Sequence, residues 1–299
     1  MTKTYKNGNT IVSISDDGTK VRYVPDNAPA MPDYPESIDM KITNKCGMQP
    51  LCAQCHEQST ATGKQADLKH PLLDSLHPYT ELAIGGGDPL THPDLEDFLV
   101  RMKAKQVISN ITVHWQSFLN NRKTLLYWIQ EGLIHGLGVS INETVPCEVV
   151  EKLTEIPTAV VHTIVGVANE AVFRQLADRY LNILLLGYKT FGRGIKYRTD
   201  NSLDIAQNAV WVQQHLNEFT EHFRAVSFDN LAIEQTGLKK KLAPDLFNEI
   251  YMGGDGAFTM YVDLVENKYA KSSTSERFDI NSNNIEELFA SVRKKAGYA

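Results

Sequence analysis

Residues 37–56 read SIDMKITNKCGMQPLCAQCH, an alternating run that ends in a cysteine-bearing loop. In Ser37–Thr43 the polar residues Asp39, Lys41 and Thr43 fall on one side of an extended chain, with Met40 and Ile42 on the other. That alternation predicts a strand. The loop after it holds Cys46, Cys52 and Cys55 at spacing C-x5-C-x2-C, three of the four cysteines of the chain. Thiols crowded like this in a reducing compartment indicate a metal site rather than a disulfide framework. Thiolates are good ligands for iron–sulfur clusters. A cubane presents four irons, so three cysteines leave one iron open to a small chelating ligand. Other readings use the same residues. Cys52-Ala-Gln-Cys55-His56 matches the c-type haem attachment pattern, and His56 would complete a Cys3His zinc set in a non-enzymatic binding module. Ordinary packed thiols are the plainest reading, poorly suited to a loop that carries Gly47 and Pro50.

Outward from this stretch, strand-like and helix-like runs alternate. The strand candidates are 37–43, 82–86, 111–116, 136–142, 159–165 and 182–188, with helices expected near 66–76, 94–105, 121–131, 147–154 and 170–180. A further helix (203–222), a strand (225–231), another strand (258–264) and a last helix (284–295) follow. Strands alternating with helices imply parallel pairing and right-handed crossovers. The expected fold class is α/β, a partial (β/α)6-type barrel. Ahead of it, Asp16-Asp17-Gly18 between apolar runs predicts a β-hairpin, and Pro25, Pro29, Pro32 and Pro35 mark a linker. The division expected is 1–36 for the hairpin and linker, 37–235 for the barrel and 236–299 for a C-terminal extension. The cysteine loop then sits at the C-terminal ends of the strands, where such barrels place their chemistry.

The 299 residues carry a formal charge of −6, which argues against broad electrostatic binding to nucleic acid. No apolar run approaches the roughly 18 residues of a membrane span. The opening MTKTYKNGNT lacks the apolar stretch of a secretory signal, so a cytoplasmic protein is expected.

The second strand ends Ile84-Gly85-Gly86-Gly87-Asp88-Pro89. Taken with the cysteine loop, this turn resembles the radical SAM superfamily, in which a cysteine loop follows strand one and a Gly-Gly-Glu-Pro turn follows strand two. The resemblance spans about residues 37–190. It implies a [4Fe–4S] cluster on Cys46, Cys52 and Cys55, and S-adenosylmethionine (SAM) with its amino group at Gly86, Gly87 and Asp88. It further implies reductive cleavage of SAM to a 5′-deoxyadenosyl radical, fed by an electron donor such as flavodoxin or ferredoxin. Three departures stand out: the first cysteine gap is two residues longer than the usual C-x3-C-x2-C, Gln54 replaces an aromatic residue, and Asp88 replaces Glu. By the same resemblance Ser140 and Asn142 meet the SAM ribose or carboxylate. Ile164 opens a segment similar to the family's I-x-G-x-x-E, and Gly187 brings backbone near the adenine.

The polar sides of three strands (Asp39, Lys41 and Thr43; Thr112, His114 and Gln116; Ser140 and Asn142) are expected to line the barrel interior. A polar lumen needs internal pairing or a polar ligand. His114, central in its strand, is the expected proton-handling contact. Lys189 and Arg193 are placed to clamp an anionic group. These features favour a small polar substrate, and a similarity to compact radical SAM proteins of bacteriophages directs the expectation to a nucleotide or modified base. The alternative is a peptide, as in radical SAM maturases. Cys147 is read as structural.

Overall fold

A computed structural model describes residues 2–15, 18–25 and 28–298. Asp16 and Asp17 of the expected hairpin turn lie outside the described residues. The flanking strands β2 (Thr10–Ile14) and β3 (Lys20–Tyr23) pair antiparallel, and β1 (Lys3–Asn7) adds a third strand on the far side of β2. The sequence gives no signal for β1, because its five residues hold one aromatic, Tyr5, among polar neighbours. Val12 and Ile14 bury against Ile108, Tyr5 and Tyr79 in a small core of their own. Lys20 reaches Glu81 at 2.8 Å, and Arg22 reaches the fully buried Glu36 at 2.8 Å. The small sheet is thereby fastened to the N-terminal ends of the main strands.

The main sheet contains seven parallel strands side by side in chain order: β4 (Ser37–Thr43), β5 (Glu81–Gly86), β6 (Ile108–His114), β7 (Gly136–Ser140), β8 (Ala159–Ile164), β9 (Asn182–Leu186) and β10 (Ala225–Phe228). On the other side of β4 come β11 (Thr259–Asp263), parallel to it, then β12 (Lys268–Ala270) and β13 (Phe278–Asp279), each antiparallel to the strand before it. Residues 236–299 therefore contribute strands to the same sheet. The crossovers are α1 (Leu95–Ala104), α2 (Trp115–Gln130), α3 (Cys147–Thr154), α4 (Glu170–Leu176), and the pair α5 (Arg193–Asp200) and α6 (Ser202–His222). After β10 come α7 (Asn230–Thr236), α8 (Leu238–Lys241) and α9 (Pro244–Ile250), and α10 (Ile285–Ala296) ends the fold.

One side of each strand faces the helices. Ile38, Met40, Ile42, Leu82, Ile84, Ile111, Leu137, Val139, Val161, Ile183 and Leu185 are all buried there against residues such as Phe98, Phe118, Phe173 and Phe289. Each such burial contributes roughly 1.5–3 kcal/mol. The sheet curves strongly. Arg193, after β9, hydrogen-bonds the carbonyls of Cys52 and Ser59, after β4, at 3.0 Å each. A flat sheet with strands about 4.8 Å apart would hold those strands roughly 24 Å apart. Across the open side, Asn230 Nδ2 donates to Asp255 Oδ1 at 2.6 Å and Lys189 Nζ to Ser273 Oγ at 2.9 Å. β10 and β13 end the strand order, so side chains rather than a strand ladder bridge this gap.

Several boundaries differ from the sequence reading. The third barrel strand runs 108–114 instead of 111–116, because His114 turns the chain: its Nδ1 accepts from Gln116 N–H and caps α2. Trp115 and Gln116 are consequently helical, and α2 begins six residues before the expected 121. Residues 66–76 form only a five-residue 3-10 turn, Pro71–Ser75, despite burying Leu68, Leu72, Leu73 and Leu76. Pro71 lacks an N–H and forces His70 out of helical geometry. The strand expected at 225–231 stops at Phe228, where Asp229 caps α7.

Candidate active site

The cysteine loop is a zippered excursion from the end of β4. Its two arms hydrogen-bond through their backbones: Asn44 N–H to Lys64 O at 2.7 Å, Cys46 N–H to Thr60 O at 2.8 Å and Thr60 N–H to Asn44 O at 3.1 Å. A side chain at Gly63 would overlap Asn44, so the close approach of the arms needs glycine there. Thr43, expected in the lumen, is fully buried and serves this neck, its Oγ1 accepting from Lys45 N–H at 2.9 Å. The longer cysteine gap lies in the tip, where Cys46, Cys52 and Cys55 are all free and half-buried.

The tip is held from two directions. Arg193, expected to clamp an anionic substrate, instead spends its guanidinium on Cys52 O and Ser59 O, while its backbone N–H donates to Cys55 O at 3.1 Å. Gly192, in a left-handed conformation, lets this turn press against His56 O, where a side chain would overlap. From below, the Glu57 carboxylate meets Lys41 Nζ at 2.7 Å and His56 Nε2 at 3.3 Å. His56 thus faces Glu57. Burial pushes the Cys52 thiol up to about 11, with the neighbouring Cys55 and Cys46 adding to the rise and Arg193 opposing it. Burial also raises Cys46, a backbone hydrogen bond at Met48 acting against it. Among the described residues no three His, Cys, Asp or Glu side chains converge closely enough to chelate a single ion. A cubane asks less convergence of its ligands, because its irons point to different corners. The donor set fits a cluster better than the Cys3His zinc reading.

The glycine turn is stitched to this loop. Gly87 N–H donates to Thr43 O at 2.7 Å and Asp88 N–H to Lys45 O at 2.8 Å. Side chains at Gly86, which has φ +114°, and at Gly87 would overlap the Thr43 and Lys45 carbonyls, so the two turns touch only because both residues are glycine. Beside them Gly85 faces open space. Asp88 is buried, its Oδ1 accepting from Leu90 N–H at 3.2 Å and its Oδ2 from Ser117 Oγ–H at 2.7 Å.

Beyond the turn, the upper ends of β6 to β9 bring the other expected residues together. His114 and Ser140 are register partners. His114 lies on the inner side, half-buried, its imidazole pushed to lower pKa by burial while Glu143 and Asp88 pull the other way. Asn142 Oδ1 accepts from Ile164 N–H at 2.7 Å, which ties the end of β7 to β8. Gly187 gives its N–H to Asp229 Oδ1 at 2.9 Å, and Leu231 fills the space a side chain there would take. Asn169, at the end of the segment that Ile164 opens, caps α4 through Val172 N–H.

The interior of the curve is mixed in character. The side chains of Asp39, Thr112, Ser140 and His162 reach into it with no hydrogen-bond or ion-pair partner among the described residues. Asp39 is open to water there, yet burial among protein raises its carboxyl, opposed by Lys189 and reinforced by Asp229 and Asp255. Val160, Ile164, Leu184 and Leu186 supply an apolar wall from β8 and β9. The uniformly polar lumen expected from strands one, three and four does not extend to these two strands, and Gln116 is outside it. His162 was not singled out in the sequence, although strict alternation in Ala159–Ile164 places it on the inner side. Its imidazole is pushed down to about 4 by burial. Gly138 makes room for it: a Cβ there would lie 2.5 Å from His162 Cε1 and 2.8 Å from Thr112 Oγ1.

No family model matches the chain, and no curated protein matches it. Among solved structures it matches Streptococcus suis SuiB over 96% of this chain and 86% of that one, with TM-score 0.54 and 8% identity. The chain shares its fold with SuiB. SuiB bound to S-adenosylmethionine matches at TM-score 0.51 and 11% identity, over 90% of this chain and 67% of that one. SuiB bound to its precursor peptide SuiA matches at TM-score 0.53 and 10% identity, over 87% of this chain and 65% of that one. At these identities the likeness to SuiB extends to the fold alone.

Proposed function

We propose that this chain is a radical SAM enzyme that modifies a peptide. The observation that carries the reading is the contact between a loop of three free thiols and a glycine turn, hydrogen-bonded at the C-terminal ends of adjacent parallel strands. In this reading Cys46, Cys52 and Cys55 hold a [4Fe–4S] cluster. Gly86, Gly87 and Asp88 receive the methionine end of SAM, and Ser140, Asn142, Ile164 and Gly187 border the rest of it. The cluster, when bound, would supply the electron that cleaves SAM to a 5′-deoxyadenosyl radical. Arg193 and the neck of the loop hold the thiols in place. The buried Asp88 carboxylate keeps one accepting position on each oxygen for a donor from SAM. Flavodoxin or ferredoxin is the electron donor of this reading, and the cytoplasm its compartment.

A peptide is favoured over the nucleotide or small metabolite expected from the sequence. SuiB, of the same fold, has been solved with a precursor peptide. The apolar wall of Val160, Ile164, Leu184 and Leu186 suits a side chain more than a polar nucleotide. The test is anaerobic reconstitution with iron and sulfide, followed by SAM and dithionite. A brown protein with about four irons per chain is expected, together with 5′-deoxyadenosine in the products. Colourless protein without SAM cleavage would sink the proposal. Deuterium transfer into 5′-deoxyadenosine from a deuterated nucleoside set, and none from deuterated peptides, would overturn the peptide assignment.

A further inference from the structure

Beneath the cysteine loop lies a group of four charges: Lys41, Glu57 and Asp263 have buried side chains, and Arg277 is partly exposed at its edge. Lys41, on the inner side of β4 and only 4% exposed, bonds Glu57 at 2.7 Å and Asp263 Oδ2 at 3.1 Å. Asp263, with a fully buried side chain at the end of β11, also takes Arg277 Nη1 on Oδ2 at 2.7 Å. Its Oδ1 accepts from the N–H groups of Val265 and Glu266 at 3.1 and 3.0 Å. Tyr261 OH lies 3.5 Å from Glu57 Oε1, and the Arg277 guanidinium sits 4.9 Å from the Tyr261 ring centre. Two cations and two anions balance, and each carboxylate oxygen has a donor. Removing Glu57, Lys41 or Arg277 would leave a buried partner with one counter-charge fewer, which is the costly way to break such a group. The network has a direction. Glu57 is two residues past Cys55, the Lys41 stem lies against Gly86 of the glycine turn, and Asp263 and Arg277 belong to the C-terminal strands.

We infer that Glu57 is a positioning residue for the thiols, and that Lys41, Asp263 and Arg277 make the C-terminal strands a structural part of the cluster site. The network fixes the descending arm of the loop before iron arrives. Arg193 holds the tip from the side, and Glu57 anchors it to the floor. This inference rests on the cluster reading, but its first consequence concerns the iron-free protein.

The experiment compares wild type with Glu57→Gln, Arg277→Gln and Arg22→Gln in the full chain. Arg22→Gln breaks a different buried pair, that with Glu36, away from the loop, and so controls for general destabilisation. In iron-free protein, alkylation by iodoacetamide is followed by mass spectrometry at each cysteine, with exposed Cys147 as the internal standard. Glu57→Gln and Arg277→Gln are expected to speed alkylation of Cys52 and Cys55 several-fold relative to Cys147, because access governs the rate at comparable thiols. Arg22→Gln should leave the ratio unchanged. After reconstitution, the first two variants should retain less than half of the wild-type iron. Unchanged ratios and full iron in Glu57→Gln and Arg277→Gln would overturn the inference and leave the cluster assignment standing. Equal acceleration by Arg22→Gln would also overturn it, since the loop would then report stability alone. Failure of wild type to take iron would instead strike the proposed function, while the alkylation ratios still judged the network.

Discussion

Gly138 and His162 are an interlocked pair, and their geometry makes a testable claim. A methyl group at 138 meets the imidazole at 2.5 Å and the Thr112 hydroxyl at 2.8 Å. Gly138→Ala should therefore destabilise by about 1–3 kcal/mol, the usual cost of overpacking. Adding His162→Ala should recover part of that loss, giving a non-additive cycle in urea unfolding. Additive effects would show that the clash is relieved elsewhere. His162 also has a pH signature. Burial alone lowers its pKa to about 4, so between that value and the ordinary 6.5 the unfolded chain binds a proton that the folded chain does not. Stability from this source is fully present above about pH 6.5 and declines as pH falls toward 4, by up to about 3 kcal/mol. Water in the open lumen reduces that figure. His162→Gln should flatten this part of the stability profile, and NMR titration of the His162 ring should show no protonation near pH 6.5.

At the scale of the element, His114 makes a junction that substitution can test. It ends β6 and caps α2 through Nδ1. His114→Asn preserves a capping acceptor and should leave thermal stability nearly unchanged. His114→Phe loses the cap, at a cost of about 1 kcal/mol, or roughly 2 °C in melting temperature. Equal melting temperatures for both variants would deny the cap. The same element shows what the sequence could and could not reveal. Alternation in Thr112, His114 and Gln116 continued past the true end of the strand, because a capping histidine looks like one more inward polar residue. Strands with a fully buried outer side, such as 37–43 and 159–164, were legible, since their apolar residues had one place to go. The cysteine loop and glycine turn stood out in the sequence, and the fold brings them into contact through the N–H groups of Gly87 and Asp88. Arg193 was legible as a charge near the site, but not as a clamp on Cys52 and Ser59, since nothing local links residues so far apart in sequence. Glu57 stood beside the cysteines in plain view, yet its partner Lys41 is reached only when the loop folds back on β4, and Tyr261 only when β11 docks beside it.

For the whole molecule, β11 joins the C-terminal residues to the same sheet as β4, across the boundary where the sequence changes rhythm. Met260 and Val262 on β11, and Ile285, Leu288, Phe289 and Val292 on α10, belong to the same core as β4 and β5. A chain ending at residue 256 would expose one edge of β4 and leave Lys41 buried with half of its counter-charge. It is expected to lose its cooperative thermal transition by circular dichroism. A sharp transition in that fragment would show that 37–235 is self-sufficient.

The long separation between the loop and its anchors also has a consequence in time. A ribosome extends a chain at roughly 5–20 residues per second. Asp263 is thus made roughly 10–40 seconds after Cys55. Throughout that interval the three thiols are on a nascent chain without their floor, exposed to any oxidant or stray metal. On the proposed reading, the native floor of the cluster site can form only after the last strands are made, which places loading of the proposed cluster after synthesis of β11.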